Sequence, residues 1–191
     1  LPDGGWSLFF ALFIKLPSIQ LGFGFTLTGV GGVAGINRTI DTPGLEAAIR
    51  SGSLDSVLFP ADPIADAPQI IAAVQEIFPS AEGRYVFGPV IQIGWGTPTL
   101  IEAEIGVIIS LPDPIVIAII GSIGSVLPDK EVELISLQLN VAGVIDRGTS
   151  TVSVDARLSV SHIAGFPLNG GMAFKSTFAN TPTFLMALGG S

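Results

Sequence analysis

Alternation of apolar and polar residues in the second half of the chain constrains the fold more than any other feature. Every second residue is apolar from Ile135 to Val141 and again from Val152 to Val160, and Asp146 and Gly148 mark a turn between these segments. A period of two is the signature of a β-strand with one face in water, so the segments predict an antiparallel pair. The segment 101–109 begins with the same alternation and then becomes apolar on both faces, which predicts a strand buried on two sides.

Recurring turn signals divide the chain into long strands. The tripeptide Leu-Pro-Asp occurs at 1–3, 111–113 and 127–129, and both internal copies stand between apolar runs. Proline removes a ladder donor and aspartate caps turns, so these copies predict hairpin ends. We predict a meander with strands near 99–110, 115–126, 132–145, 150–162, 168–176 and 183–188.

The N-terminal third predicts two more strands, 7–16 and 18–28. In the second strand, one face would carry large apolar side chains and the other glycine and threonine, which allow close stacking of another layer. The apolar set is Leu21, Phe23, Phe25 and Leu27, and the small set is Gly22, Gly24, Thr26 and Thr28.

Residues 41–82 differ in kind from their surroundings. Pro43 after Thr42, and Pro68 after Asp66, each open a short helical pattern, with Gly52 and Pro79 as the stops. The stretch contains one base, Arg50, and seven acids, which are Asp41, Glu46, Asp55, Asp62, Asp66, Glu76 and Glu82. We expect two helices that cap an end or edge of the sheet with their acidic sides in water.

The resulting fold class is mainly β: a long-stranded antiparallel meander, as a sandwich, an open groove or a barrel-like sheet, with a short acidic insert of two helices. We predict a single β domain over 1–191 with the helical insert at 41–82. The chain starts with Leu1-Pro2-Asp3, without a methionine or a basic leader, so we expect a fragment of a longer chain.

Composition narrows the functional classes. Charged residues make up 13% and apolar residues 48% of the chain, which is more apolar than an ordinary soluble domain with about a quarter charged. The excess predicts a surface covered by a partner, by more of the same protein or by a lipid-like phase. A net charge of −8 with eight basic residues argues against nucleic-acid binding, and the absence of cysteine excludes disulfides and thiolate metal sites.

Three motifs invite a chemical interpretation, and each has a plainer one. The segment from Gly29 to Ala34 matches G-x-G-x-x-G/A, yet no helix pattern follows, so a glycine-rich strand end, bulge or bend is favoured over a nucleotide site. The pairs Glu102/Glu104 and Glu131/Glu133 are interpreted as solubilising positions on strands rather than acid–base or cation sites. His162 lies beside Ser161 and on one strand with Asp155, where the three cannot converge as a catalytic triad, so a strand-end histidine is expected.

Two further residues are weighed in the same way. Asn37-Arg38-Thr39 is a glycosylation sequon by pattern only. Trp95 stands near a turn, where we favour a lid on the core over a membrane-interface anchor or a contact residue.

Several strings resemble an uncharacterised domain of very long, β-rich bacterial proteins. The likeness runs in matching order through LGFGFTLTGVGG (21–32), NR (37–38), RSGSLDSVLFP (50–60), FGP (87–89), GWGTP (94–98), GVID (143–146), AGF (164–166) and LGG (188–190). Around Ser161 the chain departs from the pattern, with Val160 and His162 where that domain has an acid and a base. The resemblance implies a segment of a larger β structure in a bacterium and implies no activity or catalytic residues. The compartment stays open, with a secreted or cell-surface location as one alternative.

The functional expectation is a non-enzymatic structural or interaction module of a larger or self-assembling protein. An alternative is a carrier that binds a lipid-like hydrophobic ligand on a curved sheet, and a membrane β-barrel is less favoured because some strands are apolar on both faces. We expect no catalytic residue, no metal and no cofactor. Expected partners are further segments of the same protein or a second copy, or a lipid-like ligand. The candidate apolar contact face comprises Leu21, Phe23, Phe25, Leu27, Ile115, Ile117 and Ile119.

Overall fold

A computed structural model shows one antiparallel sheet and two helices, and it describes residues 5–51, 65–129, 131–179 and 181–190. The first strands and the helices are β1 (Leu8–Gly22), β2 (Phe25–Arg38), α1 (Thr42–Ser51) and α2 (Ala67–Ile77). The remaining strands are β3 (Ser80–Trp95), β4 (Ile101–Leu111), β5 (Val116–Leu127), β6 (Ile135–Asp146), β7 (Thr151–Ile163), β8 (Phe166–Thr177) and β9 (Thr183–Gly189). The predicted mainly β fold, with long antiparallel strands and a two-helix insert, is confirmed.

The nine strands follow one another in the sheet in the same order as in the chain. Every neighbouring pair is antiparallel, and the sheet is open, with β1 and β9 at its two edges. Of the three alternatives for the sheet, the open form is therefore the one observed. The internal Leu-Pro-Asp copies lie at the β4–β5 and β5–β6 turns, where they were predicted, whereas Leu1–Asp3 lies outside the described residues.

The N-terminal hairpin turns later than the sequence predicts. Pro17 was interpreted as a break between two strands, but β1 continues to Gly22 with register shifts between Lys15 and Ile19 and again before Gly22. Proline is tolerated there because β1 is an edge strand, whose outer backbone groups have no ladder partner. The turn falls at Phe23 and Gly24, which both have positive φ. The predicted alternation of faces across 21–28 therefore fails at the turn, although Phe25 and Leu27 share one face and Thr26 lies on the other.

The helices lie on a face of the sheet rather than at its end or edge, so that prediction is also wrong. Leu45 and Ala48 of α1 and Val74 and Ile77 of α2 are buried in one cluster with Val33, Val86, Ile108, Ile120 and Val144 of the strands. Burial of apolar side chains determines where the two helices lie. Each helix is amphipathic, and its apolar side packs against the apolar surface of the sheet. Gly52, Asp55 and Asp62 lie outside the described residues, and the insert ends before β3 begins at Ser80, not at residue 82.

Hydrogen bonds from side chains and backbone groups anchor the helical insert at both ends. The Asp41 side chain accepts a hydrogen bond from the Gly44 N–H (2.7 Å), which caps the start of α1. The Asp41 N–H in turn donates to the Ile77 carbonyl (2.9 Å), and the Arg38 guanidinium donates to the Phe78 carbonyl (2.8 Å). The end of β2 and the end of α2 are thereby joined directly.

Candidate functional surface

The strand register assigns each strand residue to one of two faces, since directly paired residues in antiparallel strands point to the same side. Phe9 of β1 stacks on Phe78 beside the helices, and it is paired with Gly35, which is paired with Val86. We call the side of the sheet that carries these residues and the helices the helix face. We call the opposite side the open face.

The open face contains no charged side chain among the described, regularly paired strand residues. Its large side chains are aliphatic and aromatic, and among these described residues the polar groups come from serine (Ser125, Ser161 and Ser176), Tyr85 and Trp95. The apolar residues on β1 to β5 include Leu8, Phe10, Leu12, Ile14, Val30, Ile36, Phe87, Ile91, Ile93, Ile105, Val107, Ile109, Ile117, Ile119 and Ile123. Those on β6 to β9 include Leu137, Leu139, Val141, Ile145, Val152, Val154, Leu158, Met172, Phe174, Phe184, Met186 and Leu188.

Many of these side chains are exposed although they are large. Phe10 is 56% exposed, Ile119 at the centre of the sheet 49%, and Phe184 81%. Nine strands about 4.8 Å apart and roughly 35 Å long give the open face an area of about 1,400 Å². The largest apolar patch on a typical monomer covers only about 300–600 Å². The open face is therefore far larger than the apolar patches that ordinary soluble domains expose.

The helix face has a different composition beyond the apolar cluster that packs against the helices. A polar row crosses five strands there, through Gln92, Glu104, Ser122, Asn140 and Arg157. Neighbouring side chains are hydrogen-bonded: Gln92 Nε2 donates to Glu104 Oε1 (2.9 Å) and Gln138 Nε2 donates to Ser122 Oγ (2.7 Å). Polar side chains thus occupy the middle strands of the helix face, where Ser122 and Asn140 are buried and Arg157 is exposed, and no comparable row of described residues crosses the open face.

The predicted contact residues do not form one cluster. Leu27, Ile117 and Ile119 lie on the open face, in β2 and β5, and Phe25 is paired with Trp95 at the end of the same face. Phe23 is 99% exposed at the tip of the β1–β2 turn, with Leu21 beside it on the edge strand, and Ile115 precedes β5. Most of the open face was not predicted from the sequence, above all β3, where the alternation from Tyr85 through Phe87 and Ile91 was the available signal.

The glycine-rich motif lies in the middle of β2, and no helix follows it there. A side chain at Gly31 would collide with the Leu12 carbonyl oxygen and lie 3.0 Å from the Phe13 Cα. The glycines therefore allow β1 and β2 to approach, which agrees with a glycine-rich strand and not with a nucleotide fingerprint.

The acidic pairs and the histidine are separated in the structure. Glu102 and Glu104 share the helix face of β4, as predicted, whereas Glu131 and Glu133 lie in the β5–β6 turn and not on a strand. Asp129 Oδ1 accepts the N–H groups of Glu131 and Val132 (both 2.9 Å), and this turn delays the start of β6 to Ile135.

His162 faces the same turn and takes no part in a triad. Its Nε2 lies 3.4 Å from the Glu133 carbonyl oxygen. The Ser161 hydroxyl instead donates to the Ser159 carbonyl (2.8 Å) and accepts the Gln138 N–H (2.9 Å). A serine held by backbone groups in this way has no base positioned to activate it.

Trp95 and Asn37 have structural contacts of their own. Trp95 ends β3 and is 39% exposed, so its interpretation as a lid on the core is wrong; its Nε1 donates to the Phe23 carbonyl (3.1 Å). Asn37 donates to the Trp6 carbonyl and accepts the Gly83 N–H (2.9 Å each). Trp95 thus contacts the β1–β2 turn, and Asn37 joins the segment before β1 to the start of β3.

A shallow groove of about 590 Å³ lies over β7, β8 and β9. Small residues, among them Gly171, Ala173 and Ala187, form its floor, with Asp155 and Arg157 at its side. In the part of the chain that the structure describes, no cluster of histidine, aspartate and glutamate could hold a metal ion. No described helix is both long and apolar enough to cross a membrane.

The fold and its surfaces define a class of protein: an open antiparallel β module with one face partly covered by its own helices and the other apolar and uncovered. The family of unknown function DUF6603 matches residues 2–191, so this chain belongs to that family. The resemblance to an uncharacterised domain is thereby confirmed. No curated protein and no solved structure matches the chain.

Proposed function

We propose that this chain is a non-enzymatic structural and interaction module that acts through its open face, which is buried against a second apolar layer of protein. The observation that carries this proposal is the contrast between the two faces of the sheet. Gln92, Glu104 and Arg157 give the helix face charged and amide side chains, whereas the described, regularly paired residues of the open face carry no charge from β1 to β9.

The size of the open face favours a protein layer as its cover. Two sheets that stack face to face lie about 10 Å apart with interdigitated side chains. Burying about 1,400 Å² on each side would give an interface in the range of obligate complexes, about 2,000–5,000 Å² in total. Such interfaces are strongly apolar, as the open face is.

A lipid-like ligand is the second candidate cover, supported by the same apolar side chains. Pockets for such ligands usually enclose most of the ligand surface, about 70–90%. A single open sheet supplies only one wall, so the protein layer remains the better fit to this geometry.

Labelling of introduced thiols tests the proposal directly, because the chain has no cysteine of its own. Ile119→Cys places a thiol at the centre of the open face, and Ala173→Cys places one on an exposed position of the helix face. Maleimide labelling under native conditions should be slow at position 119 and fast at position 173, and denaturant should equalise the two rates.

Native mass spectrometry with organic extraction completes the test. A ligand-free assembly with slow labelling at position 119 supports the proposal. Equal labelling at both positions in a ligand-free monomer would overturn it. Lipid recovered with a protected position 119 would also overturn it, in favour of the carrier.

A further inference from the structure

The sizes of the side chains on the open face follow a pattern across the internal strands β4 to β7. In the row of directly paired residues through the middle of β5, Ile119 lies beside Gly143 of β6. In the next row the sizes are reversed, and Gly121 of β5 lies beside Val141 of β6. A Cβ at Gly143 would meet no atom closer than 3.9 Å, so its neighbours do not fill the space above it. Each of these two rows thus has a large residue on one strand and a small one on the other.

The same exchange of sizes extends to the strands on either side. Ile105 of β4 shares a row with Ala156 of β7, and in the next row the small residue is Ala103 of β4 and the large one is Leu158 of β7. If β5 and β6 exchange places within each row, and β4 and β7 likewise, every regularly paired glycine, alanine or serine on the open face of these strands falls opposite a larger residue. The opposed pairs are Ile119 and Gly143, Val141 and Gly121, Leu137 and Ser125, Ile105 and Ala156, and Leu158 and Ala103.

We propose, on the basis of the function proposed above, that the second apolar layer is the open face of another copy of this chain. The two copies are related by a twofold axis that runs along the strands, between β5 and β6. Such an axis brings β5 over the partner's β6 and β4 over the partner's β7 without changing the row. Each small residue then receives a large residue of the other copy, and every contact occurs twice. The open face of β4 to β7 is therefore complementary in shape to itself.

Area and charge also suit a second copy. Two open faces of about 1,400 Å² each would bury about 2,800 Å² in total, within the range of about 2,000–5,000 Å² found for obligate homodimers. Residues near a twofold axis meet their own copies, so a charge there would face a like charge. The described, regularly paired residues of the open face carry no charge on β4 to β7. An axis along the strands also keeps the two sheets aligned within about 30°, as in β-sandwiches.

An exchange of sizes between β4 and β7 tests the axis. Ala156→Phe fills the space of the partner's Ile105, so the mass measured by light scattering should fall from that of a dimer to that of a monomer. Adding Ile105→Ala should restore the dimer, because it makes room for the new ring. Within one chain these two positions lie three strand spacings apart, about 14 Å, so the rescue can come only from the second copy. The matched control is Val107→Ala, one row away on β4, which should not rescue Ala156→Phe.

Charge variants and the labelling of position 119 complete the experiment. Ile119→Lys should give a monomer whose circular dichroism is unchanged, whereas Ala173→Lys on the helix face should remain a dimer. A wild-type mass other than that of a dimer, an unchanged mass for Ala156→Phe, or no rescue by Ile105→Ala would overturn the stacking of two copies. If position 119 is still labelled slowly in that case, the proposed function stands with a different protein layer as the cover. A monomer that is labelled rapidly at position 119 would overturn both.

Discussion

The ring of Phe9 on the edge strand β1 stacks on the ring of Phe78 just after α2, with the centroids 4.8 Å apart and the planes 23° from parallel. Phe78 is only 1% exposed and is among the largest fully buried side chains. This pair joins the outermost strand to the helical insert. It therefore ties together segments that lie far apart in the chain.

Replacing Phe78 with alanine should cost about 3–5 kcal/mol of unfolding free energy, because a large cavity forms under the helices. A double-mutant cycle with Phe9→Ala should reveal a coupling of about 0.5–1.5 kcal/mol between the rings, measured by urea unfolding. Phe10→Ala is the control, since Phe10 lies on the opposite face, and its coupling to Phe78 should be near zero. Equal coupling for Phe9 and Phe10 would contradict the assignment of the faces.

Two glycines inside strands should respond differently to alanine. A Cβ at Gly88 would collide with the Val107 carbonyl oxygen and lie 2.7 Å from the Ile108 Cα, whereas a Cβ at Gly143 meets nothing closer than 3.9 Å. We expect Gly88→Ala to destabilise the protein by about 1–3 kcal/mol, as overpacking does. Gly143→Ala should be neutral or stabilising by up to about 1 kcal/mol, because it restricts the unfolded chain. Thermal unfolding of both variants measures the difference. Equal losses of stability would show that the close approach of β4 to Gly88 is not the cause.

Arg84 holds the β4–β5 turn. Its Nη1 donates to the Pro112 carbonyl (2.9 Å), and its Nη2 donates to the Ser110 hydroxyl (2.9 Å) and the Pro114 carbonyl (2.7 Å). Arg84→Met should cost about 1–3 kcal/mol and speed hydrogen exchange in residues 110–116. Arg84→Lys should recover little, because an ammonium group cannot reproduce the planar fork of donors. Full recovery by lysine would mean that charge alone stabilises the turn.

Asp146 organises the β6–β7 turn through its side chain. Its Oδ1 accepts the N–H groups of Gly148 (2.8 Å) and Thr149 (3.2 Å). Asp146→Ala should lose about 1 kcal/mol, while Asp146→Asn should keep most of the stability, since an amide oxygen accepts the same bonds. Chemical denaturation distinguishes the two variants, and an equal loss for both would assign the effect to the negative charge.

The strands β4 to β9 could be predicted because their apolar alternation and the turn residues at 111–113, 127–129 and 146–149 agree. β3 was missed because Gly83, Gly88 and Pro89 interrupt a strand whose alternation is otherwise regular. The position of the helices could not be predicted, since an amphipathic helix fits any apolar surface. Likewise, the open face appears only when the register aligns residues such as Phe10, Ile119 and Phe184, which are distant in sequence and individually ordinary.

The identity of chain order and sheet order has a consequence for how the protein forms. Each strand after β1 needs only the strand that precedes it, so the sheet can grow at one edge while the chain is still being synthesised, with β1 and β2 first and the helices before β3. No segment has to be threaded between strands already in place. A family built in this way can lengthen or shorten by whole hairpins during evolution, because adding one leaves every existing pairing intact.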